Sequence, residues 1–187
     1  HGSDFRLRLE AFRFVPAYPF GNDRQSMKSS LPESSLLKNL PHDYLDSYSA
    51  IFSTTDLTIE QVGKSFFTSG PEWVGWLLAL RNRVVSLLGL KTSGAGERDA
   101  LLQGFKYEVG ERVGLFKVIA KNENEIILGE DDKHLDFRVS LFLDKQNQIL
   151  IVSTVVKIHN WLGRLYFLPV KPFHKLIVPT MAKGMVK

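Results

Sequence analysis

An alternation of apolar and polar residues over Leu135–Leu141, within the predicted strand Lys133–Leu143, constrains the fold more than any other feature of this chain. In an extended backbone, successive side chains point to opposite faces of a sheet, so one face of this stretch is apolar and the other polar. The pattern predicts an antiparallel strand that packs on a core with its apolar side. The apolar set is Leu135, Phe137, Val139 and Leu141, and the polar set is Asp132, His134, Asp136, Arg138 and Ser140.

Neighbouring segments predict a meander of antiparallel strands around this stretch. Short polar or Gly-containing runs separate the segments and are typical of turns. The predicted strands are Tyr44–Ser53, Leu115–Lys121, Glu125–Gly129, Lys133–Leu143 and Gln148–Ile158, with Phe105–Val109 as a short edge strand. On the first of these, Asp46 shares a face with tyrosines, which predicts either a buried acceptor for a Tyr hydroxyl or an acid in a pocket.

Helices are predicted on both sides of the meander. Thr58–Thr68 begins with a capping-box pattern, in which Gln61 follows Thr58 by three residues. Glu72–Leu88 has an apolar stripe at helical spacing, where tryptophans are usually core residues; Trp76 is nevertheless kept as a candidate ligand contact. Trp161–Lys183 contains three prolines and predicts two helical pieces with a kink near Pro179. A short helical turn is expected over Pro32–Leu40.

Composition excludes several classes of protein. The absence of Cys rules out disulfides, thiolate metal sites and Cys nucleophiles, and it fits a reducing compartment. No apolar run reaches the length of a transmembrane helix, and no signal peptide is recognisable, so a cytoplasmic location is expected. The net charge of +4 is unevenly placed, since no acid follows Asp144. Aromatic and basic residues are not interleaved as in RNA-binding sheets, so nucleic acid is not expected as a partner.

No local motif for metal, phosphate or nucleophile chemistry is present, and neither a metal nor a cofactor is expected. We expect residues 1–26 to be an N-terminal extension or an expression remnant, and residues 27–187 to form a single domain. A homodimer is an open alternative.

The predicted order of strand, two helices, antiparallel meander and C-terminal helix describes an α+β helix-grip fold, in which a curved antiparallel sheet wraps around a long C-terminal helix. Over Leu31–Lys187 the chain resembles the domain-of-unknown-function family numbered 2867. The segments that carry the resemblance are DYLDSY (43–48), PEWVGWLLALRN (71–82), LGEDDKHLDFRVS (128–140), HNWLGRLYF (159–167) and KPFHKLIVP (171–179). The resemblance implies a cytoplasmic bacterial domain of the SRPBCC (START-like, Bet v 1-like) superfamily, with a cavity between sheet and C-terminal helix that takes apolar molecules.

Three functional hypotheses follow. The first is a binding module for a small apolar or amphipathic ligand, held in a pocket framed by aromatic residues of the last helix. The candidate ligand-binding residues are Asp46, Trp76, His134, Asp136, Arg138, His159, Arg164, Tyr166 and His174, and the framing aromatics are Trp161, Tyr166, Phe167 and Phe173.

The second hypothesis is an enzyme of aromatase/cyclase or hydrolase-like type, in which His134 is a general base, Asp136 orients it and Arg138 stabilises an oxyanion. It requires these three side chains to face the cavity, whereas the alternation favours an apolar inner face and a solvated polar face.

The third hypothesis is a module that docks on a membrane surface or a protein through the basic C-terminal helix, which must then be exposed. In that helix, Arg164 is expected to pair with an acid of the strand, and His174 to satisfy a buried carbonyl.

Overall fold

The computed structural model describes residues 26–54, 56–68, 70 and 104–186. These residues form a seven-stranded antiparallel sheet with the strand order β1-β2-β7-β6-β5-β4-β3, together with two helices. The strands are β1 (Met27–Lys28), β2 (Tyr44–Ile51), β3 (Arg112–Val113), β4 (Phe116–Lys121), β5 (Glu125–Asp131), β6 (Leu135–Asp144) and β7 (Ile149–Ile158). The helices are α1 (Ile59–Thr68) and α2 (Trp161–Met185).

The β5–β6–β7 meander follows the predicted pattern. β6 pairs with β7 from Leu135↔Ile158 to Asp144↔Ile149, and Asn147 donates its backbone N–H to the Asp144 carboxylate at 3.0 Å in the turn between them. β6 begins at Leu135 rather than at Lys133, because Asp132 and the two residues after it form the bend between β5 and β6. His134 therefore precedes the strand whose polar face it was predicted to share.

The apolar face of β6 packs on the helices, as the alternation predicted. Val139, Leu141 and Leu143 are buried in one cluster with residues of both α1 and α2. Burial of such side chains contributes roughly 1.5–3 kcal/mol each and is the main term that holds α2 against the sheet. From α1 the cluster takes Val62, Phe66 and Phe67, and from α2 it takes Val178, Met181, Ala182 and Met185.

The other face of the sheet is covered by the segment before β2. Over Pro32–Leu40 the chain forms consecutive turns, in which Ser35, Lys38 and Leu40 each donate to the carbonyl three residues earlier. Leu37 of this segment is fully buried and packs against Ile127 and Val155.

Glu125, at the start of β5, holds this segment against the sheet through hydrogen bonds. Its side chain is completely buried and accepts hydrogen bonds from the Ser35 hydroxyl at 2.6 Å, the Leu36 N–H at 2.7 Å and the Ser140 hydroxyl at 2.5 Å. A buried carboxylate is costly unless donors surround it. Glu125 therefore ties the covering segment to the sheet with charge-assisted hydrogen bonds.

The capping box predicted at the start of α1 is present. The Thr58 N–H donates to Gln61 Oε1 at 2.8 Å, and the Gln61 N–H donates to Thr58 Oγ1 at 3.3 Å. These two bonds satisfy donors that the first helical turn would otherwise leave free.

The prediction of two helical pieces at the C-terminus is wrong, because α2 is a single helix of 25 residues that contains Pro169, Pro172 and Pro179. A helical proline leaves the carbonyl four residues earlier without its donor. Those carbonyls belong to Leu165, Leu168 and Lys175, whose side chains are all exposed. Water can reach this side of the helix and replace the missing donors, so the helix continues through the prolines.

The predicted edge strand at Phe105–Val109 is also wrong. This segment is irregular, with Tyr107 at φ 60 and Gly110 at φ 99, and the edge strand is the shorter β3. The predicted helix Glu72–Leu88, which includes Trp76, lies outside the described residues. With the sheet curved around α2, the described chain has an α+β helix-grip-like fold.

Candidate functional site

A buried carboxylate lies on the side of the sheet that faces α2. Asp46 of β2 stands opposite Thr154 of β7, which in turn stands opposite Val139 of β6. Paired residues of neighbouring strands share a face. Because Val139 belongs to the core under the helices, Asp46 and Thr154 also point toward that core.

Asp46 is 7% exposed and Thr154 is 3% exposed. The Tyr44 hydroxyl donates to Asp46 Oδ2 at 2.6 Å, and Nδ1 of His174 on α2 lies 3.2 Å from the same oxygen. Among the described residues, neither Asp46 Oδ1 nor Thr154 Oγ1 has a hydrogen-bond partner. Buried polar atoms are rarely left unpaired, since each costs on the order of 1–3 kcal/mol. Two neighbouring residues of the sheet, Asp46 and Thr154, thus each have one buried polar atom without a hydrogen-bond partner among the described residues.

The tyrosines on either side of Asp46 stay protonated. Burial, and then the hydrogen bond and negative charge of Asp46, raise the pKa of Tyr44 above its ordinary value. Burial and the same charge raise the pKa of Tyr48. Both phenols can therefore donate a hydrogen bond at neutral pH, and Tyr44 donates its hydrogen bond to Asp46.

An apolar wall surrounds this polar group. The Tyr44 ring meets the Phe167 ring edge-on at a centroid distance of 5.0 Å, and the His174 ring at 6.1 Å. Lys171 Nζ lies 5.2 Å from the Tyr44 centroid. Phe167 is itself buried against Leu135 and Val156. We call Tyr44, Asp46, Thr154 and His174 the Asp46 cluster.

The structure does not bring the predicted polar row of β6 into the Asp46 cluster. Arg138 stands opposite Val155, whose side chain packs with Leu37 on the other face of the sheet. The Arg138 guanidinium pairs with Asp131 and donates to the carbonyls of Glu130 at 3.1 Å and Phe137 at 2.9 Å. Its donors are thus engaged locally, far from the space that the enzyme hypothesis requires.

Asp136 and the two neighbouring histidines lie at the junction between β6, β7 and α2. His159 Nε2 is 2.9 Å from Asp136 Oδ2, and His134 Nδ1 is 3.2 Å from Oδ1 of Asn160. Asn160 caps α2 by accepting from the Gly163 N–H at 3.1 Å. These contacts fix the entry to α2, so a structural role accounts for them.

The other predicted site residues are scattered. Arg164 is exposed and, within the described part of the chain, forms no ion pair with an acid of β6. Its charge instead contributes to lowering the pKa of Asp43, after the backbone hydrogen bond from Ile158 and the contacts of Lys157. Tyr166 is half-buried and packs on the cluster around Phe167.

The predicted aromatic frame is only partly in place, because Trp161 is 69% exposed and Phe173 is 44% exposed. The expectation for His174 needs correction too: its imidazole contacts the Asp46 carboxylate rather than a buried carbonyl.

Sequence reasoning found Asp46 and gave a hydrogen bond from a Tyr hydroxyl as one of two alternatives for it, but it missed Thr154. The available signal was a hydroxyl residue in the apolar row of β7 formed by Leu150, Val152 and Val156.

The chain belongs to a family described as "Protein of unknown function (DUF2867)", whose model matches residues 41–181. Comparison with curated proteins and with solved structures found no match. The matched range contains every member of the Asp46 cluster.

The described ranges hold neither a membrane-spanning helix nor a cluster of metal-binding side chains. No helix there has both the length and the hydropathy that crossing a membrane requires. No group of three or more His, Asp or Glu side chains in those ranges comes together in a way that could hold a metal ion.

Proposed function

We propose that this protein binds a small apolar or amphipathic ligand between the sheet and α2, and that the Asp46 cluster fixes the ligand's orientation. One observation carries the proposal: a buried carboxylate and a buried hydroxyl on neighbouring residues each have an oxygen with no hydrogen-bond partner among the described residues. Ligand sites in proteins are mostly apolar with a few placed polar groups, and the surroundings of Asp46 have that character.

The free-energy cost of burying the Asp46 carboxylate supports the proposal. An aliphatic side chain at position 46 would pack in this core without any hydrogen-bond requirement, whereas a carboxylate must be desolvated. Tyr44 and His174 both approach the same oxygen and leave the other without a donor. Such an arrangement is explained if the missing donor arrives with a ligand.

The helix-grip-like fold supports the proposal, since the resemblance to the SRPBCC superfamily implies apolar ligands between sheet and C-terminal helix. A single domain over residues 27–187 and a cytoplasmic location are part of the same proposal. Pairing of β1 with β2 is compatible with a domain that begins near Met27.

Native mass spectrometry of the freshly purified protein, paired with organic extraction, tests the proposal. We expect a small molecule at one per chain, either co-purified or taken up from a bacterial lipid extract. The variant Asp46→Asn should lose most of it, whereas Asp136→Asn, the same change on the other face of the sheet, should retain it. A bare protein mass under both conditions would contradict the proposal.

A second function is favoured by the outer side of α2. Trp161, Leu165, Leu168 and Leu176 are between 54% and 71% exposed, and helical spacing places them within about 80° of one another. Arg164, Lys171 and Lys175 lie along one edge of this stripe, and α2 contains no acid. An apolar stripe with a basic edge fits the surface of an anionic bilayer, where the charges meet lipid headgroups.

Co-sedimentation with vesicles tests this second function. Binding should require anionic lipid, weaken with salt and fall at least about fivefold in Leu168→Gln, since each exposed apolar anchor contributes through its buried area. Val109→Gln is the matched control, because Val109 is 61% exposed in a different part of the chain. Equal binding to neutral and anionic vesicles would contradict the idea. Self-association that Leu168→Gln abolishes would assign the stripe to a second copy instead.

A further inference from the structure

We infer that the ligand is an apolar molecule that carries a hydroxyl group, and that this hydroxyl donates to Asp46 Oδ1 and accepts from Thr154 Oγ1. The inference rests on the proposed function and names the chemical class of its ligand. The ligand class follows from the hydrogen-bonding groups of the Asp46 cluster that have no partner among the described residues.

At Asp46, the missing group must be a donor. A carboxylate oxygen accepts hydrogen bonds, and Asp46 Oδ1 has no donor among the described residues. Oδ2 already receives the Tyr44 hydroxyl and lies beside the imidazole of His174. The ligand must therefore bring a proton to Oδ1.

At Thr154, the missing group can be an acceptor. A hydroxyl has one donor and two acceptor positions, and this one makes no hydrogen bond within the described chain. Thr154 stands directly opposite Asp46 in the β2–β7 register, which brings their Cβ atoms to about 4.5–5.5 Å. One oxygen placed between the two side chains can satisfy both, giving its proton to Asp46 and accepting from Thr154.

This accounting excludes anionic headgroups. A carboxylate or phosphate ester at this place would bring a second negative charge beside a buried carboxylate and would have no proton for it. Fatty acids are therefore poor ligands for the site, although their chains suit the apolar wall around Phe167.

An ammonium group fits less well than a hydroxyl. Lys171 Nζ, which lies over the Tyr44 ring, already places a positive charge nearby. It would repel a second cation at the cluster.

Calorimetric titration of the full chain with four octyl compounds tests the inference. 1-Octanol donates and accepts, octyl methyl ether only accepts, octanoate is an anion and octylamine is a cation. We expect 1-octanol to bind at least about tenfold more tightly than the other three, the size expected for a hydrogen bond to a charged acceptor.

Thr154→Val removes the hydroxyl with little change of shape, and it should weaken 1-octanol binding about threefold to tenfold. It should also weaken binding of the ether, whose oxygen can accept from Thr154 Oγ1. Thr180→Val makes the same chemical change on α2 away from the cluster, and it should leave all four affinities as they are.

The outcomes separate the two proposals. If none of the four compounds binds the wild-type protein, the proposed function fails and the inference with it. If 1-octanol and the ether bind equally, the cluster is filled by an internal water and the inference alone fails. Tighter binding of octanoate or octylamine also overturns the inference while leaving the proposed function standing.

Discussion

Replacing Glu125 by Gln should destabilise the protein by about 2–3 kcal/mol, because it weakens two hydrogen bonds from the Pro32–Leu40 segment and one from Ser140 of β6. The carboxylate receives the Leu36 N–H on Oε2 and two serine hydroxyls on Oε1. A glutamine can keep its oxygen toward Leu36 and turn its amide nitrogen toward Ser35 and Ser140, whose hydroxyls rotate to accept. The hydroxyl protons of Ser35 and Ser140 then lose this acceptor, and all three bonds lose their charge assistance.

The magnitude follows from that geometry. Hydrogen bonds to a charged group contribute about 1.5–3 kcal/mol, against about 0.5–1.5 kcal/mol for neutral ones, so each of the three bonds loses about 1 kcal/mol. Burying a neutral amide costs less free energy than burying a carboxylate, which offsets part of this loss of stability. Glu125→Ala, which leaves two hydroxyls and one N–H without an acceptor, should cost about 4 kcal/mol or more.

Urea unfolding measures the effect, and Glu123→Gln is the control. Glu123 lies two residues earlier and is exposed, so its change should stay within about 0.5 kcal/mol. Hydrogen–deuterium exchange should also show faster exchange at Leu36 and Leu37 in Glu125→Gln, because the covering segment opens more often. Equal stability of the two Gln variants would refute the view that Glu125 holds this segment.

Three further outcomes are expected. Tyr44→Phe should cost about 1–2 kcal/mol in urea unfolding, whereas Tyr107→Phe should be neutral or stabilising, because the Tyr107 hydroxyl is buried without a partner among the described residues; equal effects would contradict this. Burial raises the pKa of Tyr107 to about 12 and raises that of Tyr44. The phenols of the unfolded chain ionise at about pH 10, whereas those of the folded chain stay protonated, so the free energy of unfolding falls as the pH rises toward the folded pKa values. Wild type should therefore lose more stability between about pH 9 and 11 than the double Phe variant. Gly163→Ala should cost about 2 kcal/mol or more by thermal unfolding, because its Cβ would lie 2.1 Å from the His134 carbonyl oxygen; Gly104→Ala, whose Cβ meets nothing within 4 Å, should not show this loss.

The alternation at Lys133–Leu143 was enough to predict the central part of the sheet. When apolar and polar residues alternate along a strand, the apolar residues identify the face of β6 that is buried. The α1 capping box was also readable, since both of its partners lie within one turn of chain. Features of this kind depend on neighbours in sequence, and they were confirmed.

The features that the sequence did not reveal depend on distant parts of the chain. Glu125 occupies an ordinary strand position, and its burial is set by Ser35, which is 90 residues away in sequence. The meeting of Asp46 with His174 spans 128 residues. Alternation indicates the face to which Asp46 points, but it does not indicate the register that sets Thr154 opposite it.

The prolines of α2 show that packing and solvent exposure can outweigh the local tendency of proline to interrupt a helix. Pro169 and Pro172 each break a backbone hydrogen bond, which predicted an interruption. The freed carbonyls lie on the solvent side, and that side is known only once the packing of α2 on the sheet is known. The cost is thereby reduced enough for the helix to continue.

The central claim is that a ligand lies between the sheet and α2 at the Asp46 cluster. Intermolecular nuclear Overhauser effects between added 1-octanol and the protein test it most directly. The account predicts contacts from the ligand to the Thr154 methyl group and the Phe167 ring. Contacts confined to Trp161 and Leu168, on the outer side of α2, would contradict it.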